Sequence, residues 1–161
     1  LAFEKSLGLG FDGAFVHDIA VGALVPDGDG WSAFDDPATT DGPYSESDPV
    51  FDADTDATSW DRANVASPIV FATDDGYEIF YSGWHDPKTK SHDRWLWLGY
   101  ATSPNGISWE RYEANPAVEL TGENGWLWMS GVKVDDLYYL YYAISAGKYG
   151  IGVLTGTVSQ R

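Results

Sequence analysis

The sequence predicts an all-β chain made of about three four-stranded antiparallel units, and three observations carry that reading. The first is a repeated skeleton. In Val50-Phe-Asp-Ala-Asp-Thr-Asp-Ala-Thr-Ser-Trp-Asp-Arg62 and Leu98-Gly-Tyr-Ala-Thr-Ser-Pro-Asn-Gly-Ile-Ser-Trp-Glu-Arg111, Phe51 falls on Tyr100, Asp56 on Asn105, Trp60 on Trp109 and Arg62 on Arg111 without a gap. Phe3-Glu4-Lys5 is a shorter echo. Repeats spaced by tens of residues mark modular architectures. The second observation is the turns. Ser67–Ser82 and Gly131–Tyr142 each read as strand, acidic turn, strand, and Ile19–Phe34 is a weaker member. Asp-Gly between apolar or aromatic runs is a strong hairpin signal. The third is an absence: no stretch has convincing apolar spacing at helical period.

The strands follow in order. Third strands are expected at about Pro49–Asp52, Trp97–Thr102 and Ile151–Thr155, and fourth strands ending in Trp-acid-Arg in the first two units. Four short strands in about 40–60 residues is the size of a propeller blade. The expected blades are 15–62, 65–113 and a three-stranded 129–157, within one domain over 1–161. Residues 1–6 read as a closing strand able to complete the last blade. Three blades are fewer than a ring needs. The chain is therefore either part of a longer propeller or one half of a homodimer whose two copies close a six-bladed ring with two-fold symmetry.

Composition narrows the function. The chain has 161 residues, enough for a real core. With 25 acidic against 9 basic residues its net charge is −16, so neither nucleic acid nor an anionic membrane is an expected partner. The acidity reads first as a solvated surface, with adaptation to high salt or weak calcium sites as sharper alternatives. Cysteine is absent, which removes disulfides, thiol nucleophiles and thiolate metal sites. No leader or long apolar run is read at the N-terminus. Location is not legible, and a secreted form is compatible.

At Ser67-Pro-Ile-Val70, Tyr77-Glu-Ile-Phe-Tyr-Ser-Gly83, Leu98–Trp109 and Asn115-Pro-Ala-Val118 the sequence resembles the superfamily of β-propeller glycosidases that includes arabinanases, β-xylosidases, invertases and levansucrases. The clear match covers about residues 65–156. Ser103-x-Asn-Gly-x-Ser-Trp109 is also similar to the Asp-box of sialidases, which normally has one more residue before the final Trp. Both resemblances concern strand and turn chemistry, and fold alone does not give function. Trp60 and Trp109 read as core aromatics on either view.

The resemblance implies paired carboxylates at the starts of innermost strands, one protonating the leaving oxygen and the other activating water or attacking the sugar carbon. Asp18, in Phe15-Val-His-Asp-Ile-Ala-Val21, fits that position, and His17 beside it is a substrate-binding candidate. Asp18 also reads as a turn or capping carboxylate. Its counterparts near Ser67-Pro68 and Ser130-Gly131 are not acids, so Glu119 and Glu123, placed before the third unit's inner strand, are the candidates for the second carboxylate. The segment between second and third strands concentrates Trp84, His85, Asp86, His92, Asp93, Arg94 and Trp95. Trp faces stack on sugars, and the polar groups bond hydroxyls; an ordinary long hairpin loop is the plain alternative.

His85 and His92 are a weak metal pair, and Asp48–Asp56 lacks the glycine and terminal Glu of an EF-hand loop. No metal or cofactor is implied. The expectation is a carbohydrate-active protein, a glycoside hydrolase or a piece of one. The rival is a non-catalytic carbohydrate-binding or scaffold propeller, and an isolated half-ring without activity is a third possibility.

Overall fold

The computed structural model describes residues 2–9, 15–24, 31–38, 48–84, 96–120, 125–145 and 149–158, and for the first three strands the backbone only. The strands are β1 (Ala2–Leu9), β2 (Phe15–Leu24), β3 (Trp31–Ala33), β4 (Pro49–Phe51), β5 (Asn64–Thr73), β6 (Gly76–Trp84), β7 (Leu96–Ser103), β8 (Glu110–Arg111), β9 (Val118–Leu120), β10 (Gly125–Val134), β11 (Leu137–Ser145) and β12 (Tyr149–Gly156). No helix occurs among the described residues, and all pairings between these strands are antiparallel. The expectation of an all-β chain holds.

Three sheets form. The middle one runs β5-β6-β7-β8, with β9 also on β7, and the last is β10-β11-β12. Their hairpins close where the acidic turns stand. Thr73 pairs with Gly76 across Asp74-Asp75, and Val134 with Leu137 across Asp135-Asp136. Asp135 has φ 52, the left-handed conformation that Asp tolerates in turns. Gly76 has φ 135, and a Cβ there would lie 2.2 Å from the Ser103 carbonyl oxygen. Both the backbone angle and the close approach therefore require glycine.

The first sheet differs from expectation. β1 forms a hairpin with β2, pairing Lys5 with Asp18 and Ala2 with Val21. Ala2–Ser6 are thus paired inside their own chain, and among the described residues they are not joined to the 129–157 sheet. Pro49–Phe51 pairs directly with β2 rather than following the second strand. The reason is length: β3 covers only Gly22–Leu24, leaving Ile19 and Ala20 free to receive β4. Trp60-Asp61-Arg62 is a turn rather than a fourth strand, whereas Glu110–Arg111 is the strand expected.

Two cores hold the sheets together. Ile79 and Tyr81 alternate with Phe80 along β6, so they face opposite sides. On one side Phe51, Val65, Ile79, Tyr81 and Ala101 form a buried cluster with Trp60 and Trp109 against it. On the other, Ile69, Phe80, Leu98 and Tyr100 meet Tyr138 and Leu140 of the last sheet. Tyr138 lies edge-on to Phe71 and Phe80. The middle sheet is therefore sandwiched between the other two.

A polar tie anchors the first core. Asp61 is completely buried and accepts from Ser59 Oγ at 2.7 Å, Tyr81 OH at 3.0 Å and Arg111 Nε at 2.9 Å. Burial pushes the Tyr81 phenol up, and the Asp61 charge pushes it further. For Arg111 burial works to lower the pKa, but Asp61 outweighs it and the net direction is upward. Arg111 also lies over the Phe51 ring, 4.2 Å from its centroid. On β7, Asn115 fills the gap between β8 and β9. Its Oδ1 accepts from Tyr100 N at 3.0 Å and its Nδ2 donates to Tyr100 O at 2.9 Å.

Removing one member of a buried ion pair costs about 3–5 kcal/mol. Arg111→Met leaves Asp61 with two neutral donors, so a loss near the lower end, about 3 kcal/mol, is expected in the unfolding free energy from urea titration. A loss indistinguishable from that of an exposed Arg62→Met control would show that the tie contributes little.

Candidate functional site

The described residues that combine strain, burial and unsatisfied polarity sit at the beginning of β5. Between Ala66↔Ser82 and Ile69↔Phe80 the register shifts: Ser67 and Pro68 stand opposite the single residue Tyr81. Proline inside a strand is confined to edges and bulges, so the Ser-Pro pair forces this bulge. Ser67 has φ 52. Its hydroxyl is buried without a hydrogen-bond partner, in a residue only 8% exposed. Its neighbour Asn64 is buried, and Ser82 Oγ donates to Ala66 O at 3.0 Å. Bulges gather next to active sites, where they re-aim side chains, and strained φ values cluster there too.

The starts of the other two long first strands are also irregular. Between Ser6↔His17 and Leu9↔Phe15 two residues of β1 oppose one of β2. Between Gly125↔Ile144 and Met129↔Tyr142 three residues of β10 oppose one of β11. β5 is in contact with both β2 and β10.

The sequence candidates distribute around this frame. His17 and Asp18 lie in β2, at and beside its irregular pairing; only their backbone is described. Trp84 ends β6 opposite Asn64 and is half-buried. The connection from Trp84 to Leu96 therefore leaves the middle sheet at the end where β5 begins. His85, Asp86, His92, Asp93, Arg94 and Trp95 lie outside the described residues, as does Glu123. Glu119 precedes β10 as expected, but as an exposed residue of a strand, β9, paired with Trp97. Along that row Val65 faces Gly83, Gly83 faces Trp97 and Trp97 faces Glu119. Glu119 thus stands three strand spacings from β5, roughly 14 Å.

Sequence reading passed over Ser67 itself, although the Ser-Pro dipeptide within a strand was the available signal. It also passed over Glu78, whose role is structural. Its carboxylate accepts from Tyr100 OH at 3.0 Å and from Tyr138 OH, and Lys133 Nζ lies 3.6 Å away. Burial, then Glu78, raises the phenol pKa of Tyr100 and of Tyr138. Lys133 is raised as well, first by its bond with Tyr138. Glu78 thereby joins the middle sheet to the last.

A groove of about 240 Å³ lies beside this junction, lined by Phe80, Tyr100, Tyr112, Tyr138 and the chain from Leu154 to Val158. No carboxylate lines it, and none of its walls comes from β5. It has apolar walls but no acid–base pair. Among the described residues no grouping of three His, Asp or Glu side chains could hold a metal ion.

No protein-family model matches the sequence, and no curated protein matches it significantly. Among solved structures, a chain described as a glycoside hydrolase is similar, with a TM-score of 0.59 and 18% identity. The alignment covers 99% of this chain and 41% of that one, so this chain spans less than half the length of that structure. At this identity the likeness is one of fold.

Ser67 combines two costs: a left-handed serine, about 1–3 kcal/mol, and an unsatisfied buried hydroxyl, about 1–3 kcal/mol. Ser67→Gly removes both, against roughly 0.5–1 kcal/mol of added chain entropy. Ser67→Gly is expected to raise the melting temperature; a clear drop would show that the hydroxyl stabilises the fold.

Proposed function

We propose that this chain is a carbohydrate-active β-propeller protein, three blades of a ring, that acts on glycosidic bonds through carboxylates lining the ring axis. The observation that carries the reading is the contact of β5 with both β2 and β10, each irregularly paired near its beginning. Likeness of fold to a glycoside hydrolase supports it. In this reading the starts of β2, β5 and β10, one in each sheet, surround the substrate.

Asp18 is then the carboxylate that attacks the sugar carbon or activates water. Its partner must protonate the leaving oxygen. The two carboxyl groups of such pairs lie about 5–5.5 Å apart for retention and about 6.5–9.5 Å for inversion. Glu119, roughly 14 Å of sheet away from β5, is poorly placed for that role. Glu123, in the connection from β9 to β10, is the better acid. The β6–β7 connection supplies sugar contacts: Trp84 and Trp95 as stacking faces, and His85, Asp86, His92, Asp93 and Arg94, with His17, as hydroxyl partners.

A second reading, carbohydrate binding without turnover, is favoured by one observation. The position of β5 that the sequence repeat sets against Asp18 carries Ser67, not an acid. A hydroxyl there can bond a sugar but cannot do acid–base work at neutral pH.

Hydrolysis of a panel of aryl pentosides and hexosides, with calorimetric binding of the matching oligosaccharides, separates the readings. Asp18→Asn is expected to lose roughly 10²–10⁴-fold in turnover while binding persists. Binding by the wild type without turnover would favour the second reading. Neither binding nor turnover across the panel would sink both.

A further inference from the structure

The turn between β7 and β8 places a reactive pair of residues at the surface. Gly106 has φ 77, the left-handed conformation that favours glycine. The turn therefore sets an unhindered backbone amide directly after Asn105. Asparagine is thermolabile, most of all before glycine, where no Cβ obstructs attack by the next amide on the side-chain carbonyl carbon. Asn105 is exposed, so water reaches it.

The native turn engages both reacting groups. Gly106 N donates to Ser103 Oγ at 2.8 Å, and Asn105 N donates to the same oxygen at 3.2 Å. Ser103 is buried, and its hydroxyl donates in turn to Asn105 Oδ1 at 3.2 Å. Asn105 Oδ1 also accepts from Ile107 N at 3.0 Å and from Ser108 N at 2.8 Å. Attack requires the Gly106 amide to give up its proton and its bond to Ser103, and the carboxamide to leave Ile107 and Ser108. The first copy of the turn shows the state that follows. Asp56, the counterpart of Asn105, is already an acid, and its carboxylate accepts from Thr58 N at 2.8 Å as Asn105 accepts from Ile107 N.

We propose that Asn105 is a covalent modification site, latched by Ser103 in the closed turn and released to react with Gly106 when the turn opens. The Gly106 nitrogen bonds to Asn105 Cγ, the Cγ–Nδ2 bond breaks, and the side-chain nitrogen leaves as ammonia with the amide proton. Water then opens the resulting cyclic imide. Cleavage at Cγ gives aspartate at position 105. Cleavage at the main-chain carbonyl gives isoaspartate, whose chain runs through the side-chain methylene. The two products differ in consequence. Aspartate repeats the state of Asp56. Isoaspartate lengthens the chain ahead of Trp109, which packs on the first core, and of Arg111, which holds Asp61. Chemical ageing of one exposed residue is thereby coupled to the buried tie.

Incubation of the chain in mildly alkaline buffer, followed by mass spectrometry of tryptic peptides, tests this. Asn105 is the only asparagine in the peptide Trp95–Arg111, and the other Asn-Gly pair, Asn124-Gly125, falls in Tyr112–Lys133. Trp95–Arg111 is expected to change from amide to acid faster in urea than in the native chain. Folded Ser103→Ala is expected to convert roughly tenfold faster than the wild type, the worth of about one hydrogen bond. Asn105→Asp is expected to melt near the wild type, and chain enriched in isoaspartate at position 105 to melt lower. Equal conversion in the native and the urea-treated chain overturns the proposal, and that comparison stands even where Ser103→Ala fails to fold. A folded Ser103→Ala variant that converts at the wild-type rate overturns it as well.

Discussion

The buried carboxylate of Asp61 is the constraint on which the rest of the structure depends. It stands in the loop after β4, yet its donors come from that loop, from β6 and from β8. A charge in a fully buried side chain must be met by donors or it is costly. Meeting it fixes Tyr81 across the middle of the sheet and draws Arg111 over Phe51. Trp60 then stacks on Tyr81 with ring centroids 5.6 Å apart. Gly99 is required beneath them, because a Cβ there would lie 2.4 Å from the Tyr81 ring and 2.8 Å from Trp60. One acid thus organises a polar centre inside an aromatic shell.

The same tie shows how the two copies of the Trp-acid-Arg motif are used. The loops before them share local hydrogen bonds. Asp54 accepts from Asp56 N, and Ser103, its counterpart, from Asn105 N. Asp56 accepts from Thr58 N, and Asn105 from Ile107 N. Beyond those loops the copies diverge. The acid of the first is buried and the acid of the second, Glu110, is exposed. The arginine of the first, Arg62, bonds its own loop at Ala57 O, and the arginine of the second crosses to Asp61.

What was legible in the sequence is what local chemistry decides. Asp74-Asp75-Gly76 and Asp135-Asp136 had to be turns, and the apolar runs around them had to pair. The strands at Leu96–Ser103 and Tyr149–Gly156 followed from the same pattern. The partners of β4 were not legible, because they depend on how little of β2 a three-residue β3 covers. Nor was the placement of Glu119, which depends on a strand added to β7 through a side chain, Asn115, far from any local signal. The strain at Ser67 was half legible: its proline announced a bulge, but the orphaned hydroxyl depends on what surrounds it. For the candidate site, residue type pointed to Asp18, while the distances that would make it an acid–base centre belong to tertiary structure.

Asn115 has a consequence beyond the bonds it makes. An open strand edge offers unpaired amides and carbonyls on which any extended segment can add, one molecule after another. Along β7 that ladder is closed by β8, by β9 and, between them, by an amide that imitates a peptide group. A strand from outside finds no continuous row of free groups on that side of the middle sheet. Addition of further strands, the route to fibrous aggregates, is therefore opposed along β7 by two short strands and the carboxamide between them, which contributes colloidal safety as well as fold.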